Sequence, residues 1–196
     1  MTLFEFLMVI AGVVIAIAMA EIVSGWGRMV RAGVNVKFDW LHLGWSLTVL
    51  LNAMLYWVGV WAYAELEFQY AAQTWFLVLP TLFLVLVAFA LTPDISQISG
   101  QSLRDYFISN RRGFFSSYVL FLLFSPLADL VISGSIPYSG IQGPAMLAFL
   151  VGGGVCLAIT RNLWAHRIGL VLYLLLMLAG GLLPLREISV MLGTGG

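Results

Sequence analysis

Six apolar runs, each long enough to cross a bilayer, constrain this chain more than any other feature of its sequence. They cover residues 3–23, 43–63, 71–91, 114–133, 144–160 and 165–184. A transmembrane helix needs about 17–25 apolar residues, because the hydrocarbon core of a bilayer is about 30 Å thick. With 62% hydrophobic and only 9% charged residues, the chain has too much apolar surface for a soluble fold. We therefore predict an all-α fold, a polytopic membrane helix bundle of six transmembrane helices that forms one domain over residues 1–196.

The basic residues indicate how the bundle is oriented. Cytoplasmic loops carry an excess of Lys and Arg, and eight of the nine basic residues lie between spans one and two, three and four, or five and six: Arg28, Arg31, Lys37, Arg104, Arg111, Arg112, Arg161 and Arg167. The opposite side has only Arg186, together with Glu5, Glu65, Glu67 and Glu187. We predict a multi-pass protein of the bacterial inner (plasma) membrane, with both termini on the non-cytoplasmic side.

The charge balance and one row of small residues bear on partners. Nine basic and nine acidic residues cancel, so nothing favours a nucleic-acid partner. Small residues recur at every fourth position in the first span, at Gly12, Ala16, Ala20 and Ser24. Such a row permits close helix contact in lipid. We expect the partners to be the lipid bilayer and either a second copy of the chain or another membrane subunit.

Two segments each allow two interpretations. In the loop 97–112, Leu103, Tyr106 and Phe107 could form the apolar side of a short interfacial helix whose arginines reach anionic headgroups; the alternative is a solvated basic loop. In the fifth span, three successive glycines, residues 152–154, permit either a break in the helix or very close contact with a neighbouring helix. Small residues at Ala148 and Ala158 favour close contact.

Charged and metal-ligating residue types cluster near the cytoplasmic boundary. Glu21 and Arg28 are seven residues apart, which places them on nearly one helix face about two turns apart, and we expect Glu21 to neutralise Arg28. His42 and His166 are weak candidates for a metal or haem site, but no ligand spacing supports one. We predict no metal site, and the sequence leaves any cofactor unknown. Cys156 is the only cysteine, which excludes a cysteine-based zinc or iron–sulfur site within one chain.

The second span carries a polar and aromatic stripe that includes Thr48, Asn52 and Tyr56, spaced four residues apart. Asn52 falls near the middle of the bilayer, where an amide is expected to bond to a neighbouring helix. The same residues could instead line a cavity. We weigh the first, structural interpretation of Asn52 above the second.

The spans hold no ionisable residue at mid-membrane, which argues against a proton relay within one subunit. We predict a channel- or transporter-like bundle that binds or passes a small neutral or lipid-like species. The cavity would be lined by five residues: Glu21, Arg28, Thr48, Asn52 and Tyr56. The alternative is a non-catalytic accessory or assembly subunit of a membrane complex. A membrane-embedded enzyme acting on lipid headgroups at the cytoplasmic face is less favoured, because the sequence contains no nucleophile motif, and we predict no catalytic residue.

Two segments, FEFLMVIAGVVIAIAMAEIVSGWGRMVR and RDYFISNRRGFF, resemble a group of uncharacterised small six-span bacterial inner-membrane proteins. The shared features are the acidic FEF start, an aromatic-rich second span and the NRR before the fourth span. The resemblance implies the six-span architecture and assigns no activity or site residue.

Overall fold

The computed structural model describes residues 2–32, 37–94, 102–135 and 142–191, and it describes no side chains for residues 32, 142 and 179–191. Six α-helices make up this part of the chain: α1 (Leu3–Ala32), α2 (Trp40–Val60), α3 (Ala71–Leu91), α4 (Leu103–Ser133), α5 (Gln142–Ile159) and α6 (Leu163–Met191). A short 3-10 turn, Trp61–Tyr63, follows α2 directly. The all-α prediction is confirmed for these residues.

Four helical segments are long and apolar enough to cross a membrane: Leu3–Arg31, Trp40–Tyr63, Ala71–Leu91 and Leu103–Ser133. Two shorter apolar helices, Gly143–Ile159 and Leu163–Leu178, follow among the residues that could be searched. The protein is therefore a helical bundle with the helices of a membrane protein. The predicted end of the sixth span and the placement of Arg186 and Glu187 lie outside the described side chains.

The first four helices pack around α3, which runs antiparallel to α2 and α4 and parallel to α1. It packs most extensively against α4 and α1, while α5 packs on α4, and α6 contacts α2 and α5. At one end of the bundle α1, α3 and α5 finish and α2, α4 and α6 begin. We call it the basic end, since the arginines with described side chains lie there, in the parts of α1, α4 and α6 near that end and in the connection after α5. Asp39 caps α2 by accepting from the Leu41 N–H at 2.9 Å, and Ser102 caps α4 by accepting from the Asp105 N–H at 3.2 Å.

Trp45 forms the centre of the core. Its side chain is fully buried, and its ring meets Phe115 at 5.0 Å and Tyr173 at 5.4 Å between centroids, both edge-on. Edge-to-face pairs of this kind add to the stabilisation from burial alone. These contacts join α2, α4 and α6 below the basic end.

The small-residue row of α1 is divided between two environments. The buried face of α1 carries mostly larger residues than this row does. They follow alternating steps of three and four residues, the pattern of a packing seam: Phe4, Met8, Ala11, Ile15, Ala18, Ile22 and Met29. Gly12 packs inside the chain, since a Cβ placed there would lie 2.9 Å from the Trp57 ring. Ala16, Ala20 and Ser24 are exposed. Gly12 is therefore part of the contact between α1 and α2 and does not belong to an outward-facing row.

The helix of the first interpretation is present in the described part of the loop 97–112, but it is not a separate interfacial helix. Residues 103–112 are the first three turns of α4, whereas residues 97–101 lie outside the described residues. Leu103 and Phe107 are buried and pack into the bundle, Leu103 beside Met29 at the end of α1. The expected apolar side of an interfacial helix is thus covered by protein. α1 and α4 together form an extension of the bundle beyond the predicted spans.

The three glycines of α5 lie in an unbroken helix. A Cβ at Gly154 would lie 2.6 Å from Val119 on α4, so the two helices are in close contact there. Close packing, the favoured interpretation, is confirmed.

Candidate functional site

The ion pair predicted from spacing in α1 is present. An Arg28 Nη2 donates to Glu21 Oε1 at 2.7 Å, with side-chain exposures of 27% and 21%. The Nε of Arg28 is buried and has no hydrogen-bond partner among the described residues. Arg28 is therefore neutralised by Glu21 and keeps one donor that the described part of the protein does not use.

This pair lines an open pocket of about 560 Å³ at the basic end, between α1, the end of α3 and the start of α4. The pocket exists because α1 and α4 continue beyond the predicted spans while α3 ends at Leu91. Its lining is mostly polar and comprises Glu21, Arg28, Phe89, Thr92, Asp94, Tyr106, Ser109 and Asn110. We call it the rim pocket.

Backbone contacts fix the α3 and α4 walls of the rim pocket. Tyr106 donates its hydroxyl to the Ala90 carbonyl at 3.3 Å, and the Asn110 amide donates to the same carbonyl. Thr92 donates to the Ala88 carbonyl at 2.9 Å, and its methyl group lies directly against Gly25 of α1. Any larger residue at position 25 would push α1 and α3 apart.

The charges of the rim pocket are mixed. Glu21 and Asp94 contribute two carboxylates, and Arg28 contributes one guanidinium. Ser109 is exposed in the pocket and donates its hydroxyl to the Tyr106 carbonyl at 2.8 Å, so its oxygen remains free to accept. The pocket thus offers a cation, carboxylates and neutral hydrogen-bonding groups within one space, the arrangement that suits a small polar molecule with groups of both signs or none.

Three of the predicted cavity residues lie elsewhere. The amide of Asn52 donates to the Tyr118 hydroxyl at 2.6 Å and to the Thr48 carbonyl at 3.2 Å. Thr48 is buried and donates to the Gly44 carbonyl at 2.9 Å. Tyr56 donates to the Leu77 carbonyl of α3 at 2.9 Å. The structure brings Glu21 and Arg28 together in the rim pocket, and it places the α2 stripe in contacts within and between helices.

The remaining described lining residues were not predicted from sequence: Phe89, Thr92, Asp94, Tyr106, Ser109 and Asn110. For three of these residues the sequence does contain a pattern. Tyr106, Ser109 and Asn110 follow the three- and four-residue spacing of one helix face. Hydropathy does not predict this face, because residues 103–112 contain five charged or amide side chains and precede the apolar run of the fourth span.

The two histidines stabilise helix ends. Nε2 of His42 donates to the Leu91 carbonyl, the last of α3, at 2.7 Å. Nε2 of His166 donates to the Thr160 carbonyl just after α5 at 3.1 Å, and its ring stacks on Phe115 at 5.5 Å. In both rings Nδ1 is buried without a partner in the described part of the chain. The described residues contain no group of three or more His, Cys, Asp or Glu that could hold a metal ion.

Comparison of the chain with protein-family models, with curated proteins and with solved structures found no match. The functional argument therefore rests on the geometry of the rim pocket.

Proposed function

We propose that this chain is a six-span protein of the bacterial inner membrane, with both termini on the non-cytoplasmic side, that binds a small polar species in the rim pocket. The ligand is neutral overall, either uncharged or zwitterionic. Such binding is the first step of a channel- or transporter-like role. The sequence supports the orientation, since the basic connections alternate with the others along the chain.

The observation that carries the proposal is the polar lining of the rim pocket in an otherwise apolar protein. Arg28 is already paired with Glu21 and therefore adds little net charge to the pocket. Its buried Nε has no hydrogen-bond acceptor among the described residues, so a ligand that supplies one would be favoured. Asp94 also lines the pocket and can accept from a positive or hydroxyl group. A strongly anionic ligand would meet two carboxylates there, so we favour a ligand without net charge.

A native mass measurement on the full chain, extracted from its own membrane in mild detergent, tests this proposal. We expect wild-type protein to carry a bound species lighter than a phospholipid. Ser109→Trp places an indole in the rim pocket at an exposed position, and we expect it to remove that species. Ser116→Trp is the matched control, because Ser116 is exposed two turns away on the same helix and outside the rim pocket. A wild-type protein without such a species, or equal occupancy in Ser109→Trp, would refute the proposal.

One observation favours the accessory role as a second candidate. Ala16, Ala20 and Ser24 are exposed along α1, where small residues would let another helix approach closely. In that case Ala16→Leu should lower the copy number or remove a co-purifying subunit in native mass spectra. The same change at an exposed alanine of α3, Ala72→Leu, should not. Gly12 is unsuitable for this test, since its substitution would disturb the contact with Trp57.

A further inference from the structure

A second depression, separate from the rim pocket, lies between α4 and α5. It is an open groove of about 500 Å³. Val119 and Leu120 line it from α4, and Val155, Ala158 and Ile159 line it from α5. Its outer edge is exposed apolar surface, with Ile159 68% and Val155 45% exposed. The close contact of Gly154 with Val119 brings the two helices together. The larger side chains beside this contact form the walls of the groove.

One end of this groove is basic. Arg112 lines it, and Arg161 follows α5 two residues after Ile159. Both arginines are exposed, and both are close enough to the buried Arg111 to act on it electrostatically. Arg111 itself donates to the carbonyls of Ile108 at 2.7 Å and Ile159 at 3.4 Å.

No ion pair among the described residues balances the positive charge at this end of the groove. The ion pairs within the described residues join Arg28 to Glu21 and Arg104 to Asp39, and neither involves the three arginines at the groove. Arg112 and Arg161 make no hydrogen bond to any described residue. Three neighbouring arginines, two of them without a partner in the described structure, therefore stand at the end of an apolar groove.

We propose that this groove binds an anionic phospholipid of the leaflet at the basic end, with its phosphate between Arg112 and Arg161 and one acyl chain along the groove. Arginine binds phosphate through paired, charge-assisted hydrogen bonds. Basic pockets between transmembrane helices on the cytoplasmic side are suited to anionic headgroups. A zwitterionic headgroup fits less well, because its ammonium group would be repelled by the same arginines. The inference requires only that the bundle spans a membrane, and it does not depend on the rim pocket.

Native mass spectrometry of the full chain, titrated with phosphatidylglycerol or phosphatidylethanolamine in mixed micelles, tests the lipid class. We expect phosphatidylglycerol to be retained preferentially. Each arginine near an anionic lipid contributes about fivefold in affinity, so the double variant Arg112→Gln/Arg161→Gln should lose about 25-fold. Arg31→Gln is the charge-matched control for the single variants Arg112→Gln and Arg161→Gln, each of which should lose about fivefold. Arg31 is an exposed arginine in the last turn of α1, and its variant should retain the lipid.

Two further measurements separate the groove from a simple phosphate site. Ser116 lines the groove, so Ser116→Trp should displace phosphatidylglycerol while leaving all the arginines in place, whereas Ser109→Trp should not. Inorganic phosphate at millimolar concentration should fail to compete with the lipid, because phosphate cannot occupy the apolar groove. Equal retention of the two lipids, an equal loss in Arg31→Gln, or displacement by inorganic phosphate would each overturn the proposal. Thermal unfolding of each variant verifies that it is folded; if Ser116→Trp does not fold, the arginine variants decide.

Discussion

At the scale of single residues, polar side chains inside the bundle connect helices. Asn52 of α2 bonds to Tyr118 of α4, Tyr56 bonds to α3, and Tyr173 of α6 donates to the Leu150 carbonyl of α5. In lipid, burial of apolar surface does not drive helices together, so packing and such interhelical bonds hold them. The polar stripe of α2 therefore has a structural role, in which Asn52 and Tyr118 are the pair best suited to measurement.

Replacing Asn52 by Leu should destabilise the protein by about 0.5–2 kcal/mol, because the buried Tyr118 hydroxyl loses its hydrogen-bond partner and such interhelical bonds are worth about 0.6 kcal/mol on average and about 1.7 kcal/mol at most. Tyr118→Phe alone should also be destabilising. The double variant should cost less than the sum of the two, since removing both partners of a buried hydrogen bond is close to neutral. The free energy of unfolding in mixed micelles provides the measurement. Additive losses would show that the two groups do not interact.

At this scale the sequence predicts that a polar residue inside the membrane needs a hydrogen-bond partner, but it does not identify that partner. The depth of Asn52 in its span predicts an interhelical bond, but Tyr118 is 66 residues away in sequence. The Glu21 to Arg28 pair is predictable completely, because both residues lie on one helix at a spacing of two turns. The rest of the rim pocket comes from α3 and α4, and helical spacing in α1 carries no information about them.

At the scale of helices, the predicted bounds of α3 agree with the structure at both ends. Hydropathy alone predicts the bounds of α3, because the apolar run and the helix end at the same residue, shortly before Pro93. It is insufficient for α1 and α4, which continue through charged residues to Ala32 and back to Leu103. Met29 and Leu103 bury each other in that extension. A helix can thus continue beyond the bilayer wherever another helix covers its apolar residues.

Two glycines of α5 should respond oppositely to substitution. Gly154→Ala places a methyl 2.6 Å from Val119, whose branched side chain has little freedom to move aside; overpacking of this kind costs about 1–3 kcal/mol. Gly152→Ala meets nothing within 4 Å and should be neutral or stabilising by up to about 1 kcal/mol, since Ala favours helix over Gly. Thermal unfolding of both variants in one detergent tests the contact. Equal shifts for the two would contradict it.

At the scale of the whole molecule, the distribution of basic residues predicts the orientation. A C-terminal alkaline phosphatase fusion should be active, because that enzyme folds only outside the cytoplasm, and a C-terminal fluorescent reporter should be dark. The same reporters inserted in the connection between α1 and α2, near Lys37, should give the reverse pattern. An inactive phosphatase together with a bright fluorescent C-terminus would mean that the bundle is inserted the other way round.

The helices also differ in length in a way that the surrounding lipid must accommodate. At about 1.5 Å per residue, α4 with 31 residues is about 46 Å long, whereas its neighbour α5 with 18 residues is about 27 Å. The apolar run of α4, residues 114–133, is about 30 Å long by the same rule and matches a hydrocarbon core of about 30 Å, since the first turns of α4 lie beyond the predicted span, whereas α5 falls short of that core by about 3 Å. A hydrophobic stretch shorter than the core is accommodated by local thinning of the bilayer. Longer acyl chains should therefore increase the shortfall at α5, so we expect the protein to respond to membrane thickness on the side of α5.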